Sequence, residues 1–346
     1  MINIAIRIVF ALSFFFDFKK RNHKKAYIFI CMGMIFLLLA LRGNIVDTAG
    51  YLNAYNHNRI LPFHRLLRLY PLDTAKDPVY QYTAWAFSQV FKNGQWWLAV
   101  TSLFTATTIG YLFFKESEAP VISILMYMAL DYLIFNLSGI RQSIAMGFII
   151  ISYFDIKNKR PFRFIIWVLI ASLFHKTALI FLISYPICRF KLGIYHIVLT
   201  AVAFAVFFAY KSQLLNLMQT YLTDDRYSSY IANGAEKLSI SGFLIMLVIF
   251  IFCMIYYGTY TRKDPNAIIL YNMCFLGLVF QLFSSFIAEM FRISMYFSMF
   301  NMILLPNAVK LDGKKTSSNM MTIWFSIIFI LYYFRDGGVA YWFYWQ

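Results

Sequence analysis

Apolar runs long enough to cross a bilayer recur from one end of this 346-residue chain to the other, and they constrain its fold more than any motif does. Inside hydrocarbon, a backbone N–H or C=O without an internal partner is expensive, so such runs are satisfied as helices. Composition agrees: 61% of residues are hydrophobic and 13% charged, where a soluble domain carries roughly 25% charged residues. The first run, residues 2–18, lacks a basic segment before it and a small-residue cleavage site after it. It reads as a retained helix rather than a signal peptide. The expectation is an all-α, polytopic helical bundle in an inner or plasma membrane, one transmembrane domain over 1–346 with about twelve spans, some short or broken.

The candidate spans are 2–18, 26–41, 96–114, 119–137, 140–156, 162–174, 176–188, 194–210, 241–257, 267–286, 290–306 and 320–334. Basic clusters orient them: "KKRNHKK" (19–25), "KNKRPFR" (157–163), "RFK" (189–191), "TRKD" (261–264) and "KLDGKK" (310–315) belong in the cytoplasm. A single span over 162–188 would put clusters 157–163 and 189–191 on opposite sides. Two short segments meeting near His175, in "SLFHKTALIF", restore the rule and place that histidine at the extracytoplasmic end. The same counting makes 79–92 an interfacial or re-entrant piece and leaves extracytoplasmic loops at 42–95 and 211–240. In the first of these, "PFHRLLRLY" has the spacing of a helix lying in the headgroup layer.

The net charge of +16 follows from these topological clusters and does not argue for nucleic acid. Cys31, Cys188, Cys253 and Cys274 lie in or beside apolar runs without paired spacing, as core or lipid-facing residues rather than a disulfide or metal framework. No phosphate loop, dinucleotide fingerprint, zinc-protease helix or nucleophile elbow occurs, and no metal or cofactor site is expected.

What remains is a set of polar residues that the topology gathers at the outer face: Arg42, Asp47, Arg141, Gln142, His175, Lys176, Arg226, Glu289 and Arg292. Ionisable residues near the membrane are tolerated facing a cavity or a partner. If Ser138 caps the helix that starts near Gly139, Arg141 falls in its first turn, where the helix dipole disfavours a cation. A bound anion reverses that sign, and Gly139 would let a ligand approach the backbone. The alternative is an arginine that snorkels to headgroups or pairs with a nearby acid. His175 is either a hydrogen-bonded histidine at a helix break or a base for a sugar hydroxyl, with Asp47 as competing base or as the group that orients the imidazole. Glu289 and Arg292 stand at i and i+3, the spacing of an intrahelical ion pair. Tyr51 and Tyr55, four apart, would stack on a sugar or belong to an interfacial aromatic belt, where Trp96, Trp97 and "YWFYWQ" (341–346) also fit.

"LRGNIVDT", "GIRQSIAMGFIIISYF", "ASLFHKTALIFLISYPI", "DRYSSY" and "MFRISMYF", in this order, resemble the EpsG family of Wzy-type polymerases of bacterial capsule, exopolysaccharide and O-antigen. The lysine of "FHKT" stands where serine is common. The resemblance implies a GT-C-like glycosyltransferase that needs no metal. Such an enzyme takes a glycan from its undecaprenyl diphosphate carrier and joins it to a fresh lipid-linked repeat unit, so donor and acceptor are both undecaprenyl-diphosphate-linked, with membrane lipids and a chain-length regulator as further partners. It carries over Arg42, Asp47, Arg141, Gln142, His175, Arg226 and Arg292. The arginines would bind diphosphate and His175 or Asp47 would be catalytic. Gln142, Lys176, Tyr51, Tyr55, Tyr227, Glu289 and Tyr296 are the expected substrate contacts. An O-antigen-ligase-like transferase, a membrane O-acyltransferase and a lipid-oligosaccharide flippase are the rivals. A flippase would spread its charges through the depth of the bundle.

Overall fold

The computed structural model describes the chain except residues 44, 46, 74, 76, 211–212, 214–240, 285–288, 312–314, 335–340 and 346. Among the described residues the regular structure is helical, and strand-like pairing is confined to one isolated antiparallel bridge, Arg42 with Phe343. The chain divides into two units, residues 1–182 with 306–346, and residues 183–305.

The first unit contains α1 (Ile2–Ser13), α2 (Arg21–Ala40), α3 (Thr48–Arg59), α4 (Phe63–Leu69), α5 (Pro78–Val90), α6 (Gly94–Glu116), α7 (Pro120–Ala129), α8 (Tyr132–Ser138), α9 (Ile140–Lys157) and α10 (Pro161–Phe174). Proline opens α5, α7 and α10 at the first turn, where its missing N–H costs nothing. Asp131, left-handed at φ 62°, separates α7 from α8, which bend by 52°. The expected headgroup-layer helix is α4, and the interfacial piece at 79–92 is α5.

α2 and α6 pack along each other, as do α6 with α9 and α9 with α10. At one end of this group Glu116 accepts from Lys157 Nζ through both oxygens (2.9 and 2.7 Å) and from the Tyr153 hydroxyl (3.0 Å). Asn307 locks the same corner by donating to the Glu116 carbonyl and accepting from the Glu118 N–H, both at 2.8 Å. The segment 341–345 covers the end of α2. Gly43 donates to the Trp342 carbonyl (2.7 Å), Tyr344 N–H donates to the Leu41 carbonyl (3.0 Å) and the Tyr341 hydroxyl donates to the Leu38 carbonyl (2.6 Å). A Cβ at Gly43 would stand 2.6 Å from the Phe343 carbonyl oxygen, so this position takes no side chain. The expected belt residues are thus also a backbone clamp, with Trp342, Tyr344 and Trp345 left exposed.

In the second unit the helix Ala267–Phe283 packs along Glu289–Ser298, with the Ser294 hydroxyl donating to the Gly277 carbonyl at 2.8 Å. The Tyr271 hydroxyl donates to the Cys253 carbonyl at 2.7 Å. All four cysteines are buried thiols without disulfides, matching the core reading.

Among the described residues two helices, α2 and α6, are by themselves long and apolar enough to cross a membrane. The bent pairs α7–α8 and Ser241–Ile255 with Tyr257–Lys263 raise this to four if each is one span. The twelve expected spans coincide in position with helices, but many are too short: a helix of 10–17 residues rises about 15–25 Å against a hydrocarbon core of about 30 Å. The chain is a membrane protein, and shorter or bent helices occupy the remaining apolar runs among the described residues.

Candidate active site

The break anticipated near His175 falls on that residue. α10 ends at Phe174, His175 is extended (φ −154°, ψ 110°), and residues Lys176–Ile183 continue as a 3₁₀ helix. Runs of 3₁₀ this long are uncommon and mark strained or hinge-like segments.

Asp77, which the sequence reading left among loop residues, is the centre of the cluster. It precedes Pro78 at the start of α5 with a left-handed backbone (φ 54°) and is 1% exposed. Its side chain does not cap its own helix. Oδ2 lies 2.9 Å from His175 Nδ1 and 3.1 Å from Arg141 Nη1, and Oδ1 accepts from the Lys176 backbone N–H at 3.2 Å. Burial alone would raise the Asp77 carboxyl. The His175 hydrogen bond and charge, the Arg141 charge and the Lys176 N–H together outweigh it and hold the carboxyl below its ordinary value.

Whenever the imidazole is neutral, the carboxylate makes Nδ1 its protonated nitrogen, which leaves the lone pair on Nε2. Nε2 is buried and has no hydrogen-bond partner among the described residues. A carboxylate that holds an imidazole in one tautomer while its far nitrogen stays open is the arrangement of a general base. The orienting acid is therefore Asp77. Asp47 is exposed at the start of α3, and its side chain makes no capping bond.

Arg141 does lie in the first turn of α9, but the cap is Gly139. Ser138 closes α8 and donates its hydroxyl to the Phe135 carbonyl (3.2 Å). A Cβ at Gly139 would sit 2.7 Å from the Phe135 ring, so the glycine admits that ring rather than a ligand. Arg141 gives Nη1 to Asp77, and its side chain is 24% exposed. Gln142 is buried beside it.

Arg42 is 1% exposed just beyond α2. Its Nε donates to Thr48 Oγ1 (3.2 Å) and Nη1 to the Leu39 carbonyl (2.6 Å), and no carboxylate pairs with it among the described residues. Gln95 Nε2 donates to the Ala40 and Arg42 carbonyls at 2.6 and 3.2 Å. Burial pulls the guanidinium down to about 10, which still leaves it cationic at neutral pH. Arg42, Thr101, Ser102, Thr105, Asn136 and Ser143 surround a small cavity of about 10 Å³, room for about one water. Nearby, the buried Tyr80 phenol accepts from Trp97 Nε1 (2.9 Å) and packs edge-on against Tyr51.

Of the expected stacking pair, Tyr55 is buried and its hydroxyl donates to the Phe91 carbonyl (2.5 Å), whereas Tyr51 is half-buried. Glu289 and Arg292 form the expected i, i+3 pair at 3.8 Å in the second unit, where Tyr296 is buried. Arg226 and Tyr227 lie outside the described residues. Among the described residues no three His, Cys, Asp or Glu side chains gather to hold a metal ion.

A model of the EpsG family matches residues 25–341, nearly the whole chain. The chain belongs to the EpsG family. EpsG proteins are a Wzy-like polysaccharide polymerase family. No curated protein and no solved structure matches the chain. The EpsG match runs across α2 to α10, which carry Arg42, Asp77, Arg141 and the His175 break.

Proposed function

We propose that this EpsG protein is a metal-independent membrane glycosyltransferase that polymerises undecaprenyl-diphosphate-linked oligosaccharide repeat units at the extracytoplasmic face of the bacterial inner membrane. His175 Nε2 takes the proton from the acceptor sugar hydroxyl as its oxygen bonds to the anomeric carbon of the donor. The anomeric C–O bond to the lipid diphosphate breaks, and the diphosphate leaves with the electron pair. Arg141 meets that growing charge with the donors it does not give to Asp77, and Arg42 adds a second cation that no carboxylate among the described residues neutralises. Arg226 and Arg292 are proposed helpers for the diphosphate, and Gln142, Lys176 and Tyr51 contact the glycan. Because Nε2 is shielded, the acceptor reaches it when the backbone at the His175 break opens.

The observation that carries this reading is the Asp77–His175 pair with an unpartnered Nε2. Purified protein given a lipid-linked repeat unit should produce a ladder of longer glycans, and His175→Ala should lose it while folding normally. An undiminished ladder from that variant would remove His175 as the base. Repeat units moved between leaflets without elongation would mean a flippase instead.

A further inference from the structure

α2 and α6 run antiparallel. Gln95 holds the end of α2 to the start of α6, while Arg21 and Lys24 lie over the ring of Phe114, 5.6 and 6.0 Å from its centroid. Between the two helices is an apolar groove of about 430 Å³. Ile28, Met32, Ala106 and Gly110 are its buried floor, and Phe29, Leu103 and Tyr111 are its exposed rim. Lys25 lines one end, and with Arg21 and Lys24 it makes that mouth basic. Gly33 also lines the groove, and a Cβ there would meet no atom within 4 Å, so its missing side chain leaves open space.

Depth selects the occupant. From Lys25 to Phe36 the groove follows eleven residues of α2, about 16 Å, half of a hydrocarbon core of about 30 Å. That is the reach of one acyl chain in one leaflet, and less than a long polyprenyl chain needs. Lys24 faces Glu116 and Glu118, so Lys25 and Arg21 are the cations that select a negative headgroup. We infer that this groove seats one acyl chain of an anionic phospholipid, with the phosphate at Lys25 and Arg21. The seat opens about 30 Å along α2 from Arg42, so it is separate from the proposed glycan chemistry and does not depend on it.

Native mass spectrometry of the full chain in detergent tests this with phosphatidylglycerol, phosphatidylcholine of the same chains, and undecaprenyl phosphate as probes. One phosphatidylglycerol should be retained, about 30-fold more tightly than phosphatidylcholine, as expected for two headgroup cations. Gly33→Phe should fill the groove and expel it with an unchanged circular dichroism spectrum. Arg21→Gln with Lys25→Gln should keep a lipid but lose the headgroup preference. Equal retention of both phospholipids by the wild-type protein, full retention by Gly33→Phe, or displacement by undecaprenyl phosphate at lower concentration would each overturn the assignment.

Discussion

Each end of α9 is tied to an acidic side chain, and the two ties obey different rules. At the C-terminal end Lys157 meets Glu116, a cation where the helix dipole favours one, with Tyr153 completing the set. At the N-terminal end Arg141 meets Asp77, a cation where the dipole opposes one, and the same carboxylate also holds His175. At the Glu116 corner both carboxylate oxygens are taken within the fold, by Lys157 and the Tyr153 hydroxyl. The Asp77 corner leaves a histidine nitrogen and part of a guanidinium available. A buried carboxylate is thus a staple in one place and an organiser of reactive groups in the other, and the leftover valence tells them apart.

Substitutions at the two corners should separate these roles. His175→Ala should lower glycan extension by about 10²–10⁴-fold, measured as ladder formation per folded molecule. Asp77→Asn should cost somewhat less, about 10²-fold, because the amide no longer enforces the tautomer with the lone pair on Nε2. At the other corner, Glu116→Gln should destabilise by about 1–3 kcal/mol, read as a lower thermal midpoint in detergent, with extension per folded molecule unchanged. If Glu116→Gln abolished extension at full stability, the distinction between the corners would fail.

Acid should act on the Asp77 corner. The folded Asp77 carboxyl lies below its ordinary value, so the stability it contributes is complete above the unfolded value of about 3.9 and disappears as pH falls through the lower folded value. Fluorescence of Trp97, bonded to Tyr80 near this corner, should hold steady at pH 5 and change only below about pH 4. Asp77→Asn should remove that step. The smallest change is expected from Gly43→Ala, which sets a methyl against the Phe343 carbonyl and should loosen the 341–345 clamp by about 1–3 kcal/mol, seen as faster amide exchange at Gly43 and Tyr344.

The parts of this architecture that depend on neighbours in sequence were legible there. Helix positions follow the apolar runs, the break at His175 follows from charge parity, and the Glu289–Arg292 pair follows from spacing alone. Asp77 was not legible, because its partners are 64 and 98 residues away in sequence and no period links them. The one local clue is an acid directly before Pro78, a helix-start pattern that says nothing of what the carboxylate reaches. Ser138 has the chemistry of a cap, yet a short preceding helix uses it, and the ring of Phe135 decides that Gly139 takes the position. Apolarity marks burial in protein and burial in lipid alike, so the runs locate helices without fixing which of them cross the membrane.

The tight winding after His175 has a mechanical consequence. Eight residues at 2.0 Å each extend about 16 Å, whereas the same eight in an α-helix extend about 12 Å. Relaxing Lys176–Ile183 to the wider helix would draw its start about 4 Å along the axis and turn it by about 160°, enough to pull the imidazole off Asp77.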